Sequence, residues 1–178
     1  MRIESPAKFE KTVLSACMMV KNEEELLPQC LESIKDIVDE IIVVDTGSED
    51  RTVEIAESYG AKVYHHPWES DFSKHRNQSI SYATGDWFLI IDADEELNTS
   101  DINRESIRKT LSSVEDGINA ISLTVIDLDR EGNESVRLNS ARIFRSNMDV
   151  HYEGTVHNQV VFPGNFTSSD LEIFHYGY

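Results

Sequence analysis

The first half of the chain alternates short apolar segments with segments of helical periodicity, and this alternation constrains the fold more than any other feature. The predicted strands cover residues 13–20, 40–45, 61–65 and 86–91, and the predicted helices cover residues 26–37, 51–59 and 72–83. The acidic run at 23–25 suits the first turn of the first helix. Because each crossover has room for a single helix, the pattern predicts a Rossmann-like α/β unit with parallel strands and right-handed connections.

The second half of the chain has a different character. One helix is predicted over residues 103–114, followed by strands at 120–128, 136–144 and 158–162 that are joined by short polar turns. This arrangement favours antiparallel hairpins added to the first sheet. No internal repeat or linker separates the halves, so we expect a single domain over residues 1–178, with halves 1–97 and 98–178. The end of the chain lacks a polar tail, which indicates that it was trimmed from a longer protein.

Composition and charge limit the kinds of partner and the cellular compartment that the sequence predicts. The 178 residues carry a formal net charge of −17, and a nucleic-acid-binding protein would instead need clustered Lys and Arg. The two cysteines, Cys17 and Cys30, have no zinc-site spacing and are expected to be free thiols in a reducing compartment. Residues 1–11 are polar and lack a signal core, and no window is apolar enough to span a membrane. These features predict a cytoplasmic protein.

Two carboxylates follow the last predicted strand of the first half. Asp92 and Asp94 stand one residue apart, directly after an apolar run. Ligands of open α/β sheets gather beyond the carboxyl ends of the strands, and hard cations such as Mg²⁺ or Mn²⁺ prefer oxygen ligands. The motif therefore predicts a divalent cation that bridges carboxylates to a substrate's phosphates. A solvated acidic turn is the alternative for an isolated motif of this kind.

Other polar residues are predicted at the same edge of the sheet. Asp45 ends the second strand and can accept a hydrogen bond from a ribose hydroxyl or a base N–H, although Asp45 and Ser48 would also suit helix capping. The first strand is followed by Val20-Lys21-Asn22-Glu23 and not by a glycine-rich dinucleotide loop. Arg76 is placed to contact phosphate oxygens, or is an ordinary surface arginine. A nucleotide fits this layout. The two tryptophans, Trp68 and Trp87, are expected in the core, with stacking on a base as the alternative.

Four ordered segments of the chain resemble family 2 glycosyltransferases of the GT-A fold. The segments that carry the resemblance are 14–25, 41–52, 71–77 and 86–95. Three later segments, 142–145, 152–157 and 175–178, resemble a subgroup in which helical repeats often follow the catalytic domain. The resemblance implies a three-layer α/β sandwich whose central sheet is mostly parallel, with antiparallel additions in the C-terminal half.

The resemblance also implies a site. The donor would be a nucleoside-diphosphate sugar, with UDP as the expected nucleotide, and the cofactor would be Mn²⁺ or Mg²⁺. The metal ligands implied are Asp92, Asp94 and His175, with His157 as the second choice for the histidine. The nucleotide-binding residues implied are Val20, Asn22, Glu23, Asp45, Gly47, Ser48, Arg76, Asp92 and Ala93.

The activity implied is inverting transfer of a hexose to a glycan, lipid or peptide acceptor. Relatives often have His-Glu where this chain has His157-Asn158, and an amide cannot act as a base, so Glu153 and His157 are the candidates for the catalytic base. A solvated glutamate and a histidine that bonds a neighbouring loop are the alternatives for these two residues. Two other functions stay open: a nucleotide-sugar-binding remnant without activity, and an Asp-x-Asp phosphatase in which Asp92 would be the nucleophile. Phosphatase motifs of this kind usually continue with Thr or Val, whereas Glu95 follows here.

Overall fold

The computed structural model describes residues 12–177. The polar segment 1–11 and Tyr178, the last residue of the 175–178 motif, lie outside the described residues. The helices are α1 (Leu27–Ile34), α2 (Thr52–Ser58), α3 (Phe72–Tyr82) and α4 (Arg104–Ser113). The strands are β1 (Leu14–Val20), β2 (Glu40–Asp45), β3 (Lys62–His65), β4 (Trp87–Ile90), β5 (Glu95–Leu97), β6 (Ile118–Leu128), β7 (Glu134–Arg145), β8 (His151–Glu153), β9 (Gln159–Val161) and β10 (Asn165–His175).

Eight of these strands form one mixed sheet in the order β3-β2-β1-β4-β7-β6-β10-β5. The first four are parallel, as predicted, and β7 joins them antiparallel to β4. β6 pairs antiparallel with β7 and parallel with β10, while β5 pairs antiparallel with β10. The mixed sheet confirms the prediction of parallel strands with antiparallel additions in the second half.

Both faces of the sheet are covered, so the molecule has the three layers that the resemblance implied. On one face, alternate β1 residues such as Ala16 and Met18 pack with the apolar sides of α1, α2 and α4. On the other face, Cys17 and Phe88 pack with side chains of α3 and of the β8–β9 hairpin. Period-two alternation in β1 sends successive side chains to opposite layers, and every residue of β1 except Met19 is buried.

The start of α1 differs from the prediction. The acidic residues of the 23–25 run precede the helix instead of forming its first turn, because α1 begins at Leu27 with a proline in its first positions. The backbone N–H of Glu23 donates to the Thr52 hydroxyl at 2.7 Å, and that of Glu24 donates to the Asp50 carboxylate at 3.2 Å. These bonds hold the segment against the start of α2 and so keep it out of the helix.

Three strands are absent from the sequence prediction: β5, β8 and β10. β5 lies within an acidic run, and β10 is polar along much of its length, so neither shows the apolar alternation of a half-buried strand. β10 is held by its long pairing with β6, which is interrupted by a register shift between Ser168 and Glu172. Pairing with a strand that is distant in the sequence outweighs the weak intrinsic preference of this segment for a strand.

The carboxylate of Glu40 connects the strand ends at the edge of the sheet opposite the predicted ligand edge. Glu40 accepts hydrogen bonds from the hydroxyl of Ser15 on β1 at 2.6 Å and from the ammonium of Lys62 on β3 at 2.8 Å. It also accepts from both the backbone N–H and the hydroxyl of Thr84, at 2.5 and 2.8 Å, just before β4. A buried charge needs partners of this kind. Glu40 therefore joins all four parallel strands at their amino ends.

Within residues 12–177, none of the helices combines the length and the apolar character that a bilayer crossing requires.

Candidate active site

The carboxyl ends of β1, β2 and β4 open into a pocket of about 360 Å³. Parallel register brings the ends together, since Val20 pairs with Asp45 and Cys17 pairs with Ile90. Four of the lining residues are apolar and large: Met19, Val20, Trp68 and Phe72. The remaining lining residues are Lys21, Glu23, Thr46, Arg76, Asp92, Ala93 and Asp94. Asp45 is not itself a lining residue of this pocket, but it directly precedes the wall residue Thr46. The predicted site residues that do line the pocket are Val20, Glu23, Arg76, Asp92, Ala93 and Asp94, whereas Asn22, Gly47 and Ser48 do not.

Asp45 organises the loop that follows β2. Its carboxylate accepts the backbone N–H of Ser48 at 3.0 Å and that of Gly47 at 3.4 Å, and it lies 3.2 Å from Nδ1 of His65. Gly47 has a φ of 109°, which a side chain would strain. Burial raises the pKa of Asp45, but the hydrogen bonds from Ser48, His65 and Gly47 outweigh it and lower the pKa. The carboxylate is therefore a fixed, ionised acceptor that is only 4% exposed.

The helix-capping alternative for Asp45 and Ser48 is wrong. α2 has Arg51 at its cap position without a side-chain cap, and the backbone N–H of Thr52 donates to Asp50 instead. The Ser48 hydroxyl accepts the backbone N–H of Asn22 at 3.0 Å, and the Asn22 side chain accepts the N–H of Glu49 at 2.7 Å. Ser48 and Asn22 therefore bind the loop after β2 to the loop after β1.

Arg76 reaches across from α3 to the loop after β4. Its guanidinium donates to the Asp92 carboxylate at 2.8 Å and lies 5.4 Å from the ring centre of Tyr152. Burial raises the pKa of Asp92, but Arg76 and then Arg142 and His175 outweigh it and lower the pKa. The surface-arginine alternative does not hold, because the Arg76 side chain is 16% exposed and its Nε is buried without a hydrogen-bond partner among the described residues.

A second ion pair, which was not predicted from the sequence, also holds the loop after β4. Arg142 of β7 donates to both carboxylate oxygens of Glu95, at 3.2 and 2.6 Å. Glu95 also accepts the backbone N–H of Asp92 at 2.8 Å. Burial raises the pKa of Glu95 to about 7, with Arg142 opposing that rise and Asp92 adding to it. At 3% exposure, Glu95 is a structural acid that holds the loop, although its place in an acidic run suggested a solvated residue.

Asp94, in the middle of the described chain, and His175, near its end, lie in contact although they are 81 positions apart. Nε2 of His175 lies 3.2 Å from the Asp94 carboxylate, and Nδ1 lies 2.8 Å from the Asp127 carboxylate on β6. The backbone N–H of Tyr176 donates to the carbonyl of Asp94 at 2.9 Å. Burial lowers the pKa of His175, but Asp127, Asp94 and Glu95 outweigh it and raise the pKa.

The side chains around Asp94 are of the types that bind a hard divalent cation, although they are not arranged around a common metal position. Across residues 12–177, no three His, Cys, Asp or Glu side chains are arranged to hold a metal ion. Asp92 is turned toward Arg76, whereas Asp94 is turned toward His175. The pKa of Glu23 is raised by burial and then by Asp94, Asp50 and Asp92. The carboxylates of Glu23, Asp92 and Asp94 thus lie close enough to affect one another, and oxygen and imidazole donors fit Mn²⁺ or Mg²⁺.

A second pocket of about 440 Å³ adjoins the first and shares Arg76 and Asp92 with it. Polar side chains from the second half of the chain line it, among them Ser140, Arg142, Tyr152, Asn158 and Gln159. Asn77 of α3 fixes the β8 wall of this pocket, since its amide donates to the Tyr152 carbonyl at 2.9 Å and accepts the Tyr152 N–H at 2.7 Å. The two pockets meet at the Asp92 carboxylate.

The two candidate bases lie close to this second pocket but are not among its lining residues. The Glu153 carboxylate is 3.2 Å from Nε2 of His151 and is 69% exposed. His157 is exposed and has a φ of 57°, a left-handed backbone conformation that is costly for a residue with a side chain. Asn158, the residue after it, does line the pocket. The backbone turns in the left-handed conformation at His157, and it is Asn158, not His157, that lines the second pocket.

Both tryptophans were expected in the core, and the structure confirms this for one of them. Trp87 is 2% exposed and belongs to the core. Trp68 is only partly buried and forms part of the first pocket's wall. Its place after β3 rather than within a strand is the sequence signal for this difference, since residues that follow parallel strands reach the ligand edge.

The mixed sheet, covered on both faces, with an acidic pocket at its strand ends, is a GT-A type fold. The family model for glycosyl transferase family 2 matches residues 15–163. The chain belongs to glycosyl transferase family 2.

Curated relatives and solved structures agree with this assignment. The chain is 44% identical over 147 residues to a TPR repeat-containing protein of Synechococcus elongatus, and 32% identical over 178 residues to the SPbeta prophage-derived glycosyltransferase SunS of Bacillus subtilis. These matches cover 83% and 96% of this chain but only 35% and 41% of the relatives, so the chain spans less than half of their length.

Among solved structures, S. aureus TarS superposes with a TM-score of 0.61 at 18% identity, over 92% of this chain and 60% of TarS. Glucosyl-3-phosphoglycerate synthase of Mycobacterium tuberculosis, in complex with Mn²⁺, UDP and product, superposes with a TM-score of 0.52 at 23% identity. That match covers 67% of this chain and 46% of the synthase. At these identities the structures support the fold alone.

Proposed function

We propose that this domain catalyses metal-dependent, inverting transfer of a hexose from a UDP-sugar to an acceptor held by the second half of the chain. The observation that carries the proposal is the first pocket, where Thr46, next to the Asp45 acceptor, shares one cavity with Asp92 and Asp94. A nucleoside diphosphate has a base and a ribose at one end and anionic oxygens at the other, which matches this division of the pocket.

Asp45 and the loop after β1 would bind the nucleoside. The Asp45 carboxylate is fixed by backbone N–H groups and ionised, so it can accept an N–H of a base or a ribose hydroxyl. Asn22, Glu23, Gly47 and Ser48 shape the loops around it, and Val20 contributes to the wall. Uracil has an N–H donor at its pairing edge, which suits an acceptor of this kind.

The diphosphate would lie at the opposite end, beside Ala93, Arg76 and the acidic residues. Asp94, His175 and Asp92 would hold Mn²⁺ or Mg²⁺, and the cation would neutralise the leaving diphosphate. Without it, the carboxylates of Glu23, Asp92 and Asp94 would repel an anionic donor, because the cationic side chain of Arg76 is already paired with Asp92. The Mn²⁺ complexes of the mycobacterial synthase and of a Pyrobaculum calidifontis mannosyltransferase support this choice of cofactor.

The acceptor would enter through the second pocket, which reaches the donor at Asp92. In inverting transfer, the acceptor nucleophile forms a bond to the anomeric carbon while the bond to the diphosphate oxygen breaks and its electron pair leaves with the UDP. The acceptor's proton passes to a base, for which Glu153 and His157 are our candidates. The lining of this pocket is polar, as a hydroxyl-bearing acceptor such as a glycan would require. Cys17 and Cys30 are free, buried thiols, in keeping with the cytoplasmic location that we propose.

Calorimetry of UDP binding tests the proposal. UDP should bind the domain with a heat that depends on added Mn²⁺, and Asp94→Ala should remove the metal-dependent part. Asp116→Ala is the matched control, because it removes one exposed carboxylate between α4 and β6. Absence of metal-dependent binding for any nucleoside diphosphate, with the domain still folded, would contradict the proposal.

Donor hydrolysis separates the three functions that the sequence left open. A working transferase should release UDP slowly from a UDP-sugar when water replaces the acceptor. UDP-sugar binding without any release would favour the binding remnant, and rapid cleavage of p-nitrophenyl phosphate would favour the phosphatase.

A further inference from the structure

Trp68 is the largest apolar group on the wall of the first pocket. We propose that the face of the Trp68 indole stacks on the nucleobase of the donor, a role that rests on the proposed function. In this arrangement Asp45 would contact the edge of the base, while Trp68 covers its face. The two residues would therefore recognise different properties of one ring: a hydrogen-bond donor at its edge and a flat aromatic surface.

The backbone places Trp68 at the nucleoside end of the pocket. Its N–H donates to the carbonyl of Thr46 at 3.2 Å, and Thr46 directly follows Asp45. The preceding residues are tied to the same point, because the N–H of His66 donates to the Asp45 carbonyl at 2.9 Å. The loop after β3 therefore continues the edge formed by the loop after β2.

The indole is held in place before any ligand arrives. His75 stacks on it with ring centres 5.1 Å apart and an angle of 23°, and Phe72 meets it edge-on at 4.8 Å. His75 is fully buried, accepts the N–H of Glu69 on Nε2 at 3.3 Å and contacts the Gln78 side chain through Nδ1 at 2.8 Å. A ring fixed in this way loses little freedom on binding, which favours affinity.

The chemistry of the pocket distinguishes the base from the other parts of a donor. The diphosphate requires cations or N–H donors, which the side chains of Arg76 and Lys21 and a cation at the acidic pair would supply. An indole face provides neither, whereas every nucleobase has a π-face that stacks on aromatic side chains. A hexose could also pack on an indole, so the experiment has to separate the base from the sugar.

Tryptophan fluorescence can make this separation because the two indoles lie in different places. Trp87 is buried and lies at the start of β4, with the Arg145 guanidinium 4.4 Å from its ring centre. In Trp87→Phe, Trp68 is the one remaining indole of the chain. This variant is titrated with UMP and, separately, with ribose 5-phosphate, each in the presence of Mg²⁺. UMP should change the emission in a saturable manner, and ribose 5-phosphate should not.

Substitution of Trp68 tests the affinity. Trp68→Leu should weaken UMP binding roughly tenfold or more, which lies in the range of a base–aromatic stack. Trp68→Tyr should recover most of the loss because it restores an aromatic face. Phe166→Leu is the matched control, since Phe166 is an exposed aromatic residue on β10 outside both pockets. Melting temperatures of all variants show whether the fold is intact.

These experiments can contradict the stacking inference without contradicting the proposed function. If UDP binds in the presence of Mn²⁺ but UMP leaves the Trp68 emission unchanged and binds Trp68→Leu as tightly as wild type, the stacking inference is wrong and the proposed function stands. A response to a UDP-sugar alone, and not to UMP, would place the indole against the sugar and would also overturn the inference. Failure of UDP to bind at all would overturn the proposed function and the inference with it.

Discussion

The guanidinium of Arg76 donates a 2.8 Å hydrogen bond to the carboxylate of Asp92, so α3 closes against the loop that carries the acidic pair. This ion pair lies at the boundary between the two pockets, both of which it lines. It fixes the first carboxylate of the Asp-x-Asp motif, while the second, Asp94, is held by His175.

Arg76→Met should destabilise the domain and weaken UDP binding. The substitution leaves the Asp92 carboxylate, 29% exposed in the native protein, without the partner that most lowers its pKa. The expected loss is about 1–3 kcal/mol in the free energy of unfolding by urea, the cost of an unsatisfied polar group. Arg51→Met is the control, because Arg51 pairs with Glu54 while both side chains are about two-thirds exposed, and it should destabilise the domain less than Arg76→Met does. Equal losses for the two variants would contradict the role assigned to Arg76.

Glu40 should contribute an acid-sensitive part of the stability. Burial raises its pKa, but the bonds from Lys62, Ser15 and Thr84 outweigh burial and lower it from 4.5 to about 2. Because the folded pKa is the lower one, this stabilisation is present above about pH 4.5 and is lost as the pH falls toward 2. The shift alone would correspond to roughly 3 kcal/mol, and solvent screening at the half-exposed Lys62 reduces our expectation to about 1–2 kcal/mol.

Urea unfolding of wild type and Glu40→Gln at several pH values measures this contribution. The difference in unfolding free energy should be largest at pH 7 and should shrink toward pH 2. A difference that stays constant over this range would show that the carboxylate contributes through shape and not through charge.

Asp127 should tune the proposed metal site through His175. Its carboxylate lies 2.8 Å from Nδ1 of His175 and so keeps Nε2 directed toward Asp94. Carboxylates that orient a metal-binding histidine typically change metal affinity about 10- to 100-fold when removed. Asp127→Ala should weaken Mn²⁺ binding by that factor in electron paramagnetic resonance titrations, and Asp127→Asn should weaken it less because the amide can still accept a hydrogen bond. Wild-type affinity in Asp127→Ala would contradict this account.

Glu153→Gln and His157→Ala should differ in their effect on donor hydrolysis. The residue that takes the proton should lower kcat about 100-fold or more when substituted, with UDP affinity unchanged, and the other variant then serves as its control. Calorimetry with UDP verifies that binding is intact. Wild-type kcat in both variants would remove both residues from consideration as the base.

Local sequence patterns were sufficient to predict the parallel half of the fold. β1, β2 and β4 are nearly continuous apolar runs, and the loops at their carboxyl ends carry the polar residues around the pocket. β10 was not predictable, because its polar sequence becomes a strand only by pairing with β6 and β5.

The ion pair between Glu95 and Arg142 could not be predicted, because the two residues are 47 positions apart and no spacing rule connects them. His175 and Asp94 are 81 positions apart, and only the family resemblance, not local spacing, brought them together. Trp68 was expected in the core because large aromatic residues usually contribute to it. Its place after β3, and not within a strand, was the signal for the pocket wall, and the hydrogen bond from its N–H to Thr46 shows how the loop after β3 reaches that wall.

A crystal structure of the domain soaked with UDP and Mn²⁺ tests the central claim most directly. The account predicts an anomalous manganese peak beside Asp94 and His175, with the diphosphate next to Arg76 and the uracil between Asp45 and Trp68. Manganese and uracil in separate cavities, or UDP bound away from the ends of β1, β2 and β4, would contradict it.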